Sequence, residues 1–285
     1  MNIYQHTPEL EEWINSVKNS GKIIGFVPTM GALHKGHLSL VERSASECDH
    51  TVVSIFVNPK QFNDPEDLKK YPRTLEADLV NLKAVSADVV FTPDVEEVYP
   101  PGDMLSLDFD PGPAATIMEG EFRPGHFQGM AEVVYRLLTI VRPDKLFMGQ
   151  KDFQQLVVVR KMITDLQLPV LLEMCPTVRE HNGLAMSSRN ERLSQEARDK
   201  AGIIYEMLVK SKQSFDENVP VTDIKRNALE SLAKAGFDPE YFEIIDGVTM
   251  ENIVSRHESQ FVVACCAVKI EGIRLIDNDI WIRNE

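Results

Sequence analysis

The segment Pro28-Thr29-Met30-Gly31-Ala32-Leu33-His34-Lys35-Gly36-His37 gathers residue types suited to holding an anion. It follows a short apolar run, Lys22–Val27, and leads into a helical stripe that begins at His37. Backbone N–H groups at a helix opening, together with the helix dipole, attract phosphate. Gly31 and Gly36 allow the chain to come close to a ligand. His34 and His37, three residues apart, can face one way and donate ring N–H bonds to phosphate oxygens. A helical zinc site wants two histidines at i, i+4, a glutamate between them and a third ligand; Lys35 brings the wrong charge for it. An isolated HxxH is also an ordinary helix cap, so its chemistry depends on the company it keeps.

That company consists of further polar segments placed after apolar runs. Phe56-Val57-Asn58-Pro59-Lys60-Gln61-Phe62 puts Gln61, a neutral donor and acceptor, where a hydroxyl or carboxylate could sit, although Asn58-Pro59 alone is a common turn. In Gly149-Gln150-Lys151-Asp152-Phe153-Gln154-Gln155, Lys151 can meet phosphate charge and Asp152 can bind ribose hydroxyls or cap the helix that carries Gln155. Met186-Ser187-Ser188-Arg189-Asn190 offers two hydroxyls and a guanidinium, the parts of a phosphate clamp. Between these lies Glu119–Gln128, a Gly/Pro-containing loop with Arg123 and His126, suited to ordering around a substrate or simply crossing the surface.

The elements that must position these residues alternate in type. Lys22–Val27, Thr51–Val57, Asp88–Phe91, Lys145–Met148 and Val170–Met174 read as strands, the β-branched second run as one buried on both faces. His37–Cys48, Thr74–Ser86, Phe127–Val141 and Phe153–Leu168 carry helical apolar stripes between them. Such alternation predicts an α/β fold, a doubly wound (Rossmann-like) parallel sheet, with ligands beyond the carboxyl ends of the strands. Tyr99–Pro113 is an excursion from the sheet. After Pro176 the pattern changes to two helices, Gln195–Phe215 and Val221–Ala235, and three antiparallel strands, Tyr241–Ile245, Phe261–Val268 and Ile273–Ile276. The expected division is a nucleotide- and substrate-binding domain over 1–180 and a smaller α+β carboxyl-terminal domain over 181–285.

Composition narrows the function classes. The 285 residues carry 44 acidic against 30 basic side chains, a formal net charge of -14, which argues against a general nucleic-acid binder. Cys48, Cys175, Cys265 and Cys266 form no CxxC pair and lie in or beside apolar runs, as reduced core thiols of a cytoplasmic protein do. No apolar stretch approaches the ~20 residues of a membrane span, and the first residues carry acidic groups where a signal peptide is basic.

Taken jointly, HKGH after a strand and a later Ser-Ser-Arg loop resemble the phosphate-binding motifs of class I aminoacyl-tRNA synthetase-like nucleotidylyltransferases. The fuller strings PTMGALHKGH, FVNPKQF, YPRT (Tyr71–Thr74), RPGHFQGM, GQKDFQQ and LAMSSRN resemble the pantothenate synthetase family, in matching order from about Gly25 to Asn190. The second motif of the wider superfamily usually carries two lysines; here it has none, which places the clamping charge on Arg189 and Lys151. The resemblance implies AMP-forming ligation of pantoate with β-alanine through a pantoyl-adenylate, a homodimer, and a carboxyl-terminal domain acting as a lid. It implies that His37, His34, Lys151 and Arg189 are catalytic. It places ATP against Met30, Gly31, Ala32, Leu33, His34, Lys35, Gly36, His37, Gly149, Gln150, Lys151, Asp152, Val178, Met186, Ser187, Ser188 and Arg189. Gln61 and Gln155 would bind pantoate, with Gln61 also near β-alanine; Arg123 and His126 would neighbour the second substrate. Mg2+ would bridge phosphate oxygens, with no protein ligand assigned to it. Two other classes fit parts of the pattern. A nucleotidylyltransferase joining ATP to a phosphate ester would want more positive charge, and a non-catalytic nucleotide binder would lack Gln61, Lys151, Gln155 and Arg189.

Overall fold

The computed structural model describes residues 1–62, 65–102 and 107–283. The backbone gathers into two compact units, Met1–Gly149 with Gln154–Pro176, and Gln150–Phe153 with Thr177–Glu285. The sequence placed Gln150–Phe153 and 177–180 in the first domain; side-chain bonds described below explain why they group with the second.

In the first unit, six strands run β1 (Asn2–Tyr4), β2 (Ile24–Thr29), β3 (His50–Ile55), β4 (Val89–Phe91), β5 (Lys145–Gly149) and β6 (Leu171–Cys175). They form one parallel sheet in the order β1-β4-β3-β2-β5-β6. The chain works outward from β2 in one direction, then returns to β5 on its other side, so the strand order reverses between β2 and β5. Ligands of doubly wound sheets bind at this reversal. The interior strands are buried and apolar on consecutive positions, as helices on both faces require. Val27, Val53, Val90 and Phe147 of the sheet pack with Leu40, Val41 and Leu82 of the helices Lys35–Glu47 and Leu75–Ala84. Burial of such side chains contributes ~1.5–3 kcal/mol each. Arg43 fastens the first of these helices to β6, donating to the Met174 carbonyl at 2.8 Å and to Glu173 at 2.9 Å.

The α/β architecture is the one expected, with additions. Strand β1 and the helix Thr7–Asn19 were not anticipated; β1 has three residues, two of them exposed, and so carries no periodicity to read. The anticipated excursion over Tyr99–Pro113 lies partly outside the described residues, at 103–106. Its described end forms a short 3-10 turn, Gly112–Ala115.

In the second unit, β7 (Asp238–Asp246), β8 (Phe261–Ile270) and β9 (Ile273–Arg283) form an antiparallel sheet in that order. Phe242, Ile244, Val262, Ala264 and Leu275 face a core completed by Leu208, Phe215 and Leu232 of its helices. One expected helix, Gln195–Phe215, is two: Gln195–Lys200 and Ile203–Asp216. The break falls at Gly202, where a Cβ would lie 2.2 Å from the carbonyl oxygen of Asn182. Strand β9 runs well past its expected end at Ile276, through Asp277-Asn278-Asp279. Among the described residues, no helix is long and apolar enough to cross a membrane.

Candidate active site

The loop after β2 is shaped by a carboxylate from elsewhere in the first unit. Asp78, buried on the helix Leu75–Ala84, accepts from the backbone N–H groups of Ala32 at 2.9 Å and Leu33 at 2.8 Å. Gly31 and Ala32 both adopt left-handed backbone, φ 81° and 50°. For alanine that conformation costs roughly 1–2 kcal/mol, and charge-assisted bonds of the kind Asp78 makes are of a size to offset it. The Thr74 hydroxyl donates to the same carboxylate at 3.2 Å. Sequence reading missed Asp78 although a signal was present: it lies three residues after Leu75 and four before Leu82, on the apolar stripe itself.

His34 caps the helix Lys35–Glu47. Its Nδ1 accepts from the Gly36 N–H at 3.1 Å, and His37 Nδ1 accepts from the His34 N–H at 3.4 Å, a reciprocal capping box built from two imidazoles. The ring centroids lie 4.0 Å apart with the planes tilted by 33°, so the two imidazoles sit side by side. Four backbone N–H groups of this loop already have partners: Ala32 and Leu33 donate to Asp78, His34 to His37 and Gly36 to His34. Acceptance at Nδ1 leaves the proton of each neutral ring on Nε2. Lys35 is exposed.

Gln61, at the end of the turn Pro59–Gln61 that follows β3, is buried and oriented on both sides of its amide. Asn58 Nδ2 donates to Gln61 Oε1 at 3.1 Å, and Gln61 Nε2 reaches the Met30 sulfur at 3.1 Å. Asn58 is itself held by the Lys60 N–H at 3.2 Å, by the Tyr99 hydroxyl at 3.0 Å, and through its own donation to the Gly129 carbonyl at 3.1 Å. Burial pushes the Tyr99 phenol above its ordinary range, keeping it a neutral donor. Asn58 thus acts beyond the turn in which the sequence placed it. Its signal was the buried strand that it follows by three residues, since such a strand leads a polar side chain toward the sheet's carboxyl edge.

Arg123 and His126 meet this same turn. His126 Nδ1 lies 3.0 Å from the Gln61 carbonyl oxygen, Arg123 donates to that oxygen at 3.5 Å, and the two side chains are 3.2 Å apart. The helix His126–Val141 comes so close that a Cβ on Gly129 would lie 2.3 Å from the Lys60 carbonyl oxygen. Gln155 is half-buried on the helix Phe153–Asp165, while its neighbour Gln154 is buried and structural, donating to the Ile117 carbonyl at 2.9 Å and accepting from the Glu119 N–H at 3.2 Å. Gly149 closes β5, next to β2 in the sheet.

The remaining candidates belong to the second unit. Gln150, Lys151 and Asp152 form a 3-10 turn in which the Lys151 ammonium stands 3.6 Å from Asp152. Val178 and Met186 are brought together by a narrow hairpin, the Met186 N–H donating to the Val178 carbonyl at 2.9 Å beside the paired Arg179 and Ala185. The Ser187 hydroxyl oxygen caps the turn Ser188–Arg192, accepting from the Arg189 N–H at 3.3 Å. Ser187 is thus partly committed to the backbone, which qualifies the clamp of two hydroxyls. Asn190 anchors the turn from below, buried and bonded to Glu180 at 2.9 Å and the Ala185 carbonyl at 3.0 Å. Among the described residues, no three His, Cys, Asp or Glu side chains converge as metal ligands.

Comparison with known proteins agrees with these motifs across the whole chain. The family model described as Pantoate-beta-alanine ligase matches residues 2–280. The pantothenate synthetase of Phocaeicola vulgatus is 46% identical over 280 residues, 98% of each chain. That of Porphyromonas gingivalis strain W83 is 46% identical over 279 residues, again 98% of each. The crystal structure of pantothenate synthetase from Thermus thermophilus superposes with a TM-score of 0.92 at 40% identity, covering 99% of this chain and 100% of that one. The pantoate-beta-alanine ligase from Francisella tularensis, solved with β-γ ATP and β-alanine, gives 0.82 at 35% identity over 99% and 98%. The chain belongs to the pantoate-beta-alanine ligase family.

Proposed function

We propose that this protein uses ATP to join pantoate to β-alanine, forming pantothenate, AMP and pyrophosphate by way of pantoyl-adenylate. A carboxylate is a poor electrophile, so amide formation needs it converted to a mixed anhydride. A carboxylate oxygen of pantoate attacks the α-phosphorus, the bond to the bridging oxygen breaks, and pyrophosphate leaves. The β-alanine amine, having lost its ammonium proton, then attacks the acyl carbon; the bond from that carbon to the phosphate oxygen breaks, AMP departs, and the nitrogen releases a second proton to solvent. The protein's contribution is positioning and stabilisation of charge.

The paired imidazoles of His34 and His37 at the helix opening support this reading, since ring N–H groups there are of the kind that meets a triphosphate's charge. Lys151 and Arg189 supply fixed charge to the phosphates, with Met30–Leu33, Lys35, Gly36, Gly149, Gln150, Asp152, Val178 and Met186–Ser188 around the nucleotide. Gln61 and Gln155 bind pantoate, and Gln61 also approaches β-alanine. The contact of Gln61 with Met30 links the turn after β3 to the loop after β2. Mg2+ would enter with ATP and neutralise phosphate charge, and no side chain of this protein is assigned to hold it. The active species is a homodimer in the cytoplasm, where its four cysteines, none of them in a disulfide, remain thiols.

The test is stoichiometry. Pantoate, β-alanine and ATP should yield pantothenate, AMP and pyrophosphate in equal amounts; ADP and inorganic phosphate would overturn the reading. Gln61→Ala should lower kcat/KM for pantoate about three- to tenfold, the cost of a neutral hydrogen bond, with ATP affinity nearly intact. A large loss of nucleotide binding, measured by titration, would move Gln61 out of the pantoate pocket.

A further inference from the structure

Strand β9, at the edge of the second unit's sheet, carries Asp277 and Asn278 near its midpoint, both almost fully buried. Asp and Asn are depleted in strands, and an apolar pair would fill the same space at less desolvation cost. Their bonds show what they hold. Both hydrogens of the Asn278 amide are used, on the carbonyl oxygens of Gln150 at 2.9 Å and Lys151 at 2.8 Å. Its own oxygen accepts from Gln150 Nε2 at 3.2 Å. The reverse amide orientation would set an oxygen against two carbonyls, so only this one fits.

Asp277 braces the arrangement. It accepts the Asn278 N–H at 2.8 Å and both arms of the Arg179 guanidinium, at 2.6 and 3.1 Å. Arg179 lies over the Tyr205 ring with its guanidinium carbon 3.7 Å from the centroid, and it donates to the Gly183 carbonyl at 3.1 Å. Arg179 also pairs with Ala185 in the hairpin that joins Val178 to Met186. Two adjacent residues of β9 therefore fix the turn bearing Lys151 and the hairpin leading to Ser187–Arg189.

We propose that Asn278, braced by Asp277, is a positioning residue for ATP cleavage: it locks the Gln150–Lys151 backbone so that the Lys151 ammonium meets the phosphates. This rests on the reading above that Lys151 contacts ATP. Lys151 is half-buried, and its side chain starts from a backbone whose carbonyls on both sides of the Cα are tied to one amide.

The test compares Asn278→Ala, Lys151→Ala and the double variant in pantoate-dependent exchange of labelled pyrophosphate into ATP, using the full-length protein with thermal midpoints recorded alongside. Asn278→Ala should slow the exchange about tenfold or more, as misplacement of a catalytic group does. The double variant should be no slower than Lys151→Ala, because residues acting as one unit are not additive. Additive losses would mean that Asn278 serves stability alone and would overturn the proposal. Full speed in Asn278→Ala with a slow Lys151→Ala would overturn it too, leaving the Lys151 reading intact. Full speed in Lys151→Ala would remove that reading itself. Should Asn278→Ala not fold, Asn278→Ser, which retains one short donor, carries the same comparison.

Discussion

Replacing His37 by alanine should lower the adenylation rate by ~10²–10³ while leaving the fold almost as stable, because the lost group donates to developing charge. In the structure His37 is half-buried, and its cap bond to the His34 N–H is long at 3.4 Å. The other half of the capping box, His34 with the Gly36 N–H at 3.1 Å, survives the substitution. Loss of so weak a cap costs at most ~1 kcal/mol, to be read as a small shift in the thermal midpoint. Single-turnover formation of pantoyl-adenylate separates the two effects. Near-normal chemistry in a folded His37→Ala protein would remove the residue from the phosphate site.

Gly129→Ala should be comparably severe, although Gly129 itself is assigned no contact with substrate. The new Cβ would lie 2.3 Å from the Lys60 carbonyl oxygen, 2.8 Å from its carbon and 3.2 Å from the Gln61 nitrogen, all backbone atoms that cannot rotate away. Either the turn Pro59–Gln61 or the helix His126–Val141 must move. The Asn58 donation to the Gly129 carbonyl is disturbed in both cases, and with it the amide that orients Gln61. Because the clash falls on the backbone of the turn, Gln61 moves together with Asn58 and with the Arg123 and His126 contacts to its carbonyl. A displacement on the order of 1 Å then costs ~10²-fold in rate, more than loss of the Gln61 amide alone. Overpacking adds ~1–3 kcal/mol of destabilisation, which outweighs the gain of up to ~1 kcal/mol from replacing a helical glycine with alanine. The loss should appear in kcat/KM for pantoate, with ATP affinity changed little. A folded variant with wild-type pantoate kinetics would contradict the placement of Gln61.

These two cases show what kind of information a sequence carries. The helix opening at the HKGH segment was legible because its geometry is local: two imidazoles three residues apart cap the helix that the apolar pattern predicts. Strands β2 to β5 were legible because burial on both faces writes itself as consecutive apolar residues. What escaped depends on partners distant in sequence. Asp78 interrupts an apolar stripe and makes sense only beside the left-handed Gly31–Ala32 backbone that it holds. Asn58 reads as a turn former until Tyr99 and Gly129 are seen on its amide. The strand over Ile273–Ile276 seemed to end at Asp277 because three polar residues follow; Arg179 and the Gln150–Lys151 carbonyls are what make their burial acceptable. Gly202 divides one apparent helix for want of room beside Asn182, a contact no periodicity records.

The central claim is that a bound pantoate carboxylate is activated at the α-phosphate of ATP before β-alanine reacts. Exchange of labelled pyrophosphate into ATP measures that step by itself. With pantoate present and β-alanine absent, label should enter ATP, and omission of pantoate should abolish the exchange. Exchange that requires a phosphate ester in place of pantoate, or none under any of these conditions alongside release of ADP, would contradict the account.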